Sequence, residues 1–374
     1  MMRNLIIDST LDRLFWEEYA LLWNNSKGKS PFQAPQILQF FSGKFAGRAI
    51  AIRLLDDQKL IGAVILKNDN GTYSFLSDLK TDANFFVFHK ECSDGDIGFF
   101  FTGILEIIKK RNWAVMFNYV PSWADYMPMF EQCSTKSNLF FQAIDYSVCP
   151  VVKCNTPEEV LDIMKSSYSI RNVTNKLRTK LNAGIEVLTG DEDLENWVRE
   201  FCISHILRWE NTSTPSAFRN TDRQFFLLKC LRAWSADKIL IRFAIKVNQQ
   251  RVGFIVGLVE NKSLVHHSTT FHPDYYKFSP AKGLLLTMAE WMVEKKLSIL
   301  NFGDGNEKYK YSFANKEWVL KKVMISRKTN YSFVTKAKLI NLIKRYPGVY
   351  SFYQMKIKKY LNRRRDAKIK TGNT

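Results

Sequence analysis

SLVHHSTTFHPDYYKFSPAKGLLLTMAEWMVEKKLSILNF, residues 263–302, carries the sequence from strand through loop and helix to strand. SLVHHSTTF and LSILNF are short runs with strand chemistry, while the segment between them repeats its apolar residues at helical spacing. Ser279 is a favoured N-cap and Pro280 a favoured first helical residue, so the helix is expected to start there. The amides of Ala281, Lys282 and Gly283 would then lie at its positive end, where an anion fits. Lys282 adds charge and Gly283 allows close approach, a pattern suited to the pyrophosphate of a nucleotide-like cofactor. Alternation sets His267 with Val265 and Phe271, and turns His266 to the opposite face with Leu264. Either histidine has the chemistry of a base near neutral pH, and either is equally at home as a hydrogen-bonded core residue.

Upstream, KILIRFAIKV and RVGFIVGLVE read as two further strands, preceded by helices in DEDLENWVREFCISHILRW and NTDRQFFLLKCLRAW and by a helical region over 157–182. The first half follows a similar order: a helix over residues 1–25, another from SPFQAPQILQFF, strands in RAIAIRLLDDQKLIGAVILKNDNGTYSFL, a helix around GFFFTGILEIIKKRN and a strand WAVMFNYV. Two halves with one order of elements indicate a duplicated α/β (α+β) architecture, with mixed sheets flanked by helices. The expected divisions are residues 1–150, 151–326 and 327–374, the last being a pair of basic amphipathic helices separated by Pro347 and Gly348.

Charge is unevenly placed. The formal net charge is +19, of which residues 321–374 contribute +15, leaving +4 for the first 320 residues. Such a tail suits an anionic membrane surface, RNA or another acidic partner, or is simply solvated; the nearly neutral body gives no reason to expect DNA. Cysteines 92, 133, 149, 154, 202 and 230 form no CxxC pair and no zinc spacing, so no metal or disulfide framework is expected and a cytoplasmic setting is the simplest reading. The richest apolar stretch, IGFFFTGILEII, is short and interrupted by Glu106, so no segment is expected to span a membrane.

NFGDGNEKYKYSF, residues 301–313, lacks the ligand order of a calcium loop, and Asp-Gly-Asn argues first for a tight turn. It carries Glu307, Tyr309 and Lys310 toward the expected cleft. Walker, GxGxxG and GxSxG motifs are absent, which removes support for kinase, dehydrogenase and esterase readings. Arg171, Asn175 and Arg178 share one helical face that either grips an acidic substrate or is solvated. His205 and Trp209, one turn apart, either line the cleft or pack together.

In their order and spacing, CPVVKCNTPEEVLDIMKSSYSIRNVTNKLRTKL, HILRW, FHPDYYKFSPAKGLLL and ILNFGDGNEKYKYSF resemble the GNAT-type acyltransferases of the CelD-like group, linked to polysaccharide and envelope biosynthesis. The resemblance covers about residues 30–320, including SPFQAPQIL and LSDLKTDANF in the first half. Gly305, Glu307, Tyr309 and Lys310 match the family pattern; Ala281 stands where the family has glycine, and Asn301 where it has aspartate.

The resemblance implies two GNAT-like domains, the first degenerate, similar to the Fem-type aminoacyl transferases. It implies acyl transfer from an acyl-CoA, acetyl-CoA first, to an amine on a sugar nucleotide, glycan or lipid-linked precursor. The helix start at Ser279, Ala281, Lys282 and Gly283 would take the CoA pyrophosphate. Glu307 or His267 would be the base, Tyr309 would protonate the leaving thiolate, and Arg171, Arg178, His205, Trp209 and Lys310 would hold the acceptor. The alternatives are an aminoacyl-tRNA-dependent transferase and a non-catalytic scaffold at the inner membrane surface.

Overall fold

In the computed structural model, the described residues are 3–346 without Leu79, Lys80 and Ser213. The second helix expected in the tail lies outside them. The first half runs β1 (Arg3–Asp8), α1 (Arg13–Asn24), α2 (Pro35–Lys44), β2 (Ala49–Asp56), β3 (Lys59–Asp69), β4 (Thr72–Phe75), β5 (Val87–Phe88), α3 (Asp94–Lys110), β6 (Ala114–Pro121), α4 (Met127–Lys136) and β7 (Phe140–Lys153). The second runs α5 (Pro157–Ser166), α6 (Tyr168–Leu181), β8 (Gly184–Thr189), α7 (Leu194–Arg208), α8 (Thr221–Ala236), β9 (Leu240–Val247), β10 (Gln250–Glu260), β11 (Ser263–Phe271), α9 (Pro280–Glu294), β12 (Ile299–Asn301), α10 (Lys308–Tyr311), β13 (Lys316–Ser326) and α11 (Tyr331–Arg345).

The α/β class expected from the sequence is the observed one. The strands form one mixed sheet in the order β1-β2-β3-β4-β6-β13-β7-β12-β11-β10-β9-β8, with β5 beside β3. Two parallel pairs occur, β4 with β6 and β11 with β12, and each is connected through a helix, α3 or α9. The halves are joined through the sheet itself. β13, from the end of the described chain, enters between β6 and β7, and β7 in turn pairs with β12.

Two local readings are corrected. Residues 1–25 are not one helix: Arg3–Asp8 is an edge strand on β2, and α1 begins after Asp12, whose carboxylate accepts from the Phe15 amide. Leu5, Ile6 and Ile7 are all half-buried in this strand, and tertiary pairing outweighs the helical spacing that continues from Leu11. The region over 157–182 is two helices broken at Ser167, and β8, the sheet edge in GIEVLT, went unread.

The register of β11 also departs from strict alternation. In the β10–β11 ladder Val256 faces Ser268 while Gly257 faces His266, so His267 is the extra residue of a β-bulge. Before the bulge alternation holds: Leu264 packs with the core under α9, and Val265 with the core on the other side. Beyond it every side chain changes face. Phe271 therefore shares a face with His266, not with His267 as strict alternation requires.

α9 lies close on the sheet because two positions bear no side chain. A Cβ on Gly253 would lie 2.8 Å from Pro280 Cβ, and one on Gly283 would lie 2.5 Å from Leu177 Cδ1. The first brings the start of α9 onto β10; the second lets α6 pack against α9.

Candidate active site

Past Val265 and Asn301 the parallel strands β11 and β12 stop pairing, and a pocket of ≈ 260 Å³ opens beside their ends. Its walls come from the first turns of α9 (Ser279, Ala281, Lys282, Leu285), from β11 (His266, Thr269, Phe271), from the last residue of α7, Arg208, and from Tyr309 in α10. Arg208 lies over Phe271, its guanidinium carbon 4.2 Å from the ring centroid. With Lys282 it gives the pocket two cations above an aromatic and aliphatic floor, an arrangement that suits phosphate groups at one end and an apolar chain at the other.

The helix start differs in detail from the sequence expectation. Ser279 has φ 45° and ψ 55° and makes no side-chain cap bond, so it is a left-handed corner rather than an N-cap. Its carbonyl instead accepts from the Lys282 amide at 2.9 Å. Ala281 and Lys282 line the pocket as expected, whereas Gly283 faces α6: its close approach is to a helix, not to an anion.

His266, 5% exposed, is the histidine of this pocket, 5.9 Å from the Phe302 ring. Burial, then the charge of Lys310, holds its imidazole down at about 4, so it is neutral at physiological pH. Burial, then Glu307, pushes the Tyr309 phenol up to about 12, which keeps it a proton donor. His267 lies on the other side of the strand. Its Nδ1 is 3.2 Å from Asp82 Oδ2 and its ring packs edge-on to Trp234 at 5.0 Å.

The loop after β12 is held from within. Gly303 (φ 69°) and Gly305 (φ 115°) take left-handed conformations. Asn301 Oδ1 accepts from the Gly303 amide at 2.9 Å, a turn contact that an amide makes as well as a carboxylate. The ammonium of Lys310 sits under the loop, donating to the carbonyl of Asp304 at 2.8 Å and those of Gly303 and Gly305 at 3.4 Å, and pairs with Glu307 at 2.8 Å. Lys310, expected to hold the acceptor, is 4% exposed and holds the loop.

The remaining expected contacts lie elsewhere. Arg171 donates to the Lys165 and Ser166 carbonyls at 2.9 and 3.0 Å, closing the end of α5, and Arg178 is exposed on the outer face of α6. His205 bonds Ser216 Oγ at 2.8 Å and stacks on Trp209. The side chain that reaches the pocket from that turn is their neighbour Arg208, signalled in the sequence only by its place in HILRW.

A larger cavity of ≈ 760 Å³ is lined by Phe85, Trp123, Trp318 and Glu260, among others, beside the start of α3. There a capping box closes the helix: Ser93 Oγ accepts from the Asp96 amide, and the Asp96 carboxylate accepts from the Ser93 amide. With Asp94 in the same turn, that helix start is already compensated by negative charge and offers little to a phosphate.

Residues 164–311 match the model of the acetyltransferase (GNAT) domain. The fold is similar to that of FemX (10% identity, TM-score 0.60, covering 90% of this chain and 100% of that one). It is also similar to a conserved protein of unknown function from Bacteroides thetaiotaomicron (12% identity, TM-score 0.57, 87% and 100% covered). A third likeness is to the C-terminal domain of a candidate lysylphosphatidylglycerol synthetase from Agrobacterium fabrum (10% identity, TM-score 0.51, 75% and 85% covered). No curated protein matches the sequence. The chain therefore has the GNAT fold and carries an acyltransferase domain.

Proposed function

We propose that the protein is an acyl-CoA-dependent N-acyltransferase, acetyl-CoA being the first donor to test, acting on an amine of a sugar nucleotide, a glycan or a lipid-linked envelope precursor. The observation that carries this reading is the pocket at the parting of β11 and β12, where Arg208 and Lys282 converge beside the start of α9. A pyrophosphate would lie against Lys282, Arg208 and the first turn of α9, and the pantetheine arm along Leu285, Phe271 and Thr269. The residues fit that donor, because Arg208, Lys282 and the start of α9 line one pocket together with the apolar Phe271 and Leu285.

The thioester carbonyl would then arrive near His266 and Tyr309. Tyr309, held protonated, gives its proton to the departing thiolate, and positioning of the two reactants supplies the largest part of the rate. The first half, whose own helix start is closed by Ser93 and Asp96, serves as a degenerate partner domain in this reading. On α11 the exposed Tyr331, Leu339 and Leu342 lie among Lys336, Lys338, Lys344 and Arg345, which supports peripheral attachment to an anionic inner membrane surface.

The test is a thermal-shift titration with acetyl-CoA, longer acyl-CoAs and CoA. Stabilisation that grows with ligand concentration is expected; a transition unmoved by every acyl-CoA contradicts the reading. The aminoacyl-tRNA-dependent alternative, favoured by the likeness to FemX and the basic tail, instead expects stabilisation by charged tRNA, steeply weakened by salt.

A further inference from the structure

The strand geometry leaves an acidic site on the face of β11 opposite the cofactor pocket, and the first half of the chain builds it. Residues Thr81, Ala83 and Asn84 are buried, at 7%, 7% and 1% exposure. The Asn84 side chain ties them down, donating to the Asn118 carbonyl at 3.0 Å and accepting from Gln33 at 3.3 Å, while its amide donates to the Tyr119 carbonyl at 2.9 Å. Tyr119 itself holds φ 57°, a left-handed conformation uncommon for an aromatic residue and characteristic of sites the surroundings over-determine.

From this pinned loop Asp82 points at the gap between β11 and β12. A Cβ on Gly303 would lie 3.0 Å from Asp82 Oδ2 and 3.3 Å from the His266 carbonyl oxygen, so the carboxylate stands at the parting of the strands. Gly303 is glycine for this approach as well as for its φ. Asp304, bonded by Ser147, shares the spot, and its carboxyl is raised above the usual range by burial and also by the charge of Asp82. His267 is a poor base in its own right. Its side chain is 2% exposed, and Nε2 is sealed among protein atoms with no hydrogen-bond partner. Its Nδ1–H is spent on Asp82, so the imidazole holds and orients the carboxylate.

We propose that Asp82, contributed by the first half and positioned by His267, is the general base of the transferase, taking a proton from the acceptor's ammonium as it meets the thioester in the gap between β11 and β12. This rests on the transferase reading above and adds the acceptor side to it. Asp82 and Asp304 attract the ammonium group. Asp82 removes one proton, and the freed lone pair forms the N–C bond at the thioester carbonyl while the carbonyl electrons move to oxygen. Collapse of the tetrahedral intermediate breaks the C–S bond. Tyr309 protonates the thiolate and recovers its proton from the new amide nitrogen, and Asp82 returns its own proton to solvent. The other titratable groups that feel the charge of Asp82 include Asp304 from the loop, Tyr119 from β6 and Cys149 from β7, and Lys310 of α10 acts on Asp304 and Cys149 in turn.

Thiol release from acetyl-CoA with glucosamine, lysine and ethanolamine as acceptors tests this in Asp82→Asn, Asp82→Glu and His267→Gln. Asp82→Asn is expected to lower kcat about 10²–10⁴-fold with acetyl-CoA affinity unchanged, and to erase the acidic limb of the kcat/KM pH profile. Asp82→Glu is expected to recover part of the loss, and His267→Gln to shift the acidic limb without erasing it. Proton NMR supplies a readout that needs no acceptor: a downfield His267 Nδ1–H signal is expected in the wild type and lost in Asp82→Asn. Turnover of Asp82→Asn within threefold of wild type, or a His267 signal indifferent to that substitution, overturns the proposal. A wild-type chain that binds no acetyl-CoA overturns the transferase reading instead.

Discussion

Lys282, Arg208 and Lys310 are three cations within a short reach of one another in the fold, and their surroundings give them different work. Lys282 and Arg208 face the pocket, so each replacement by Ala removes a charged contact to phosphate, worth about 1.5–3 kcal/mol. Acetyl-CoA affinity is expected to fall roughly tenfold or more in either variant, with the melting temperature of the unliganded protein little changed, by calorimetric titration and thermal scan. Lys310→Met is expected to behave in the opposite way. It leaves three loop carbonyls without their donor, a loss of about 1–3 kcal/mol in thermal unfolding, to which the pair with the solvent-exposed Glu307 adds little. The Lys310 position was legible as a family residue, but its role was not: a lysine that caps carbonyls and one that grips a substrate leave the same letter in the sequence. Asn301 teaches the same point, since its contact to the Gly303 amide shows a turn-forming acceptor where the family pattern suggests a lost carboxylate.

At the scale of elements, the strand-helix-strand reading of residues 263–302 held because each signal was local: β-branched runs, Pro280 at a first helical position and a clean apolar stripe. What failed was the phase of the side chains past His267. The bulge lies opposite Gly257 of the partner strand, where a Cβ would meet Ile241 and Leu264, and nothing within SLVHHSTTF announces it. Gly283 was likewise visible as a point of close approach, while the partner it approaches was decided by α6. Gly283→Val is therefore expected to act on packing, not on cofactor contact. The added atoms meet Leu177 and Val173 in a well-filled interface, at a cost of about 1–3 kcal/mol in thermal unfolding.

Across the whole molecule the halves are joined by contacts that span long stretches of sequence, and these were the least legible part. The pairing of β13 with β6 and β7 and the bond between His267 and Asp82 arise only once the chain is folded. Another such joint has a pH signature. Asp237, at the end of α8, accepts from the Gln36 amide of α2 at 2.9 Å, and burial pushes its carboxyl up to about 6. The folded chain thus binds more protons than the unfolded chain between its unfolded value and about 6, and stability falls as pH rises through that window. Asp237→Asn keeps the acceptor and removes the charge, so it is expected to raise the melting temperature at pH 7.5 and to leave it nearly unchanged at pH 4. Charge distribution, by contrast, was fully legible. A chain ending at Tyr346 is expected to keep its fold and its acetyl-CoA affinity and, since it retains α11, to sediment with anionic vesicles more weakly than the full chain without losing that binding.

The central claim, that acyl-CoA lies at the start of α9 beside the parting of β11 and β12, is tested most directly by hydrogen exchange with and without acetyl-CoA. Protection is expected in peptides covering 264–286 and 300–310 and not in those lining the larger cavity of the first half. Protection confined to that cavity, or an exchange pattern unchanged by saturating acetyl-CoA, contradicts the account.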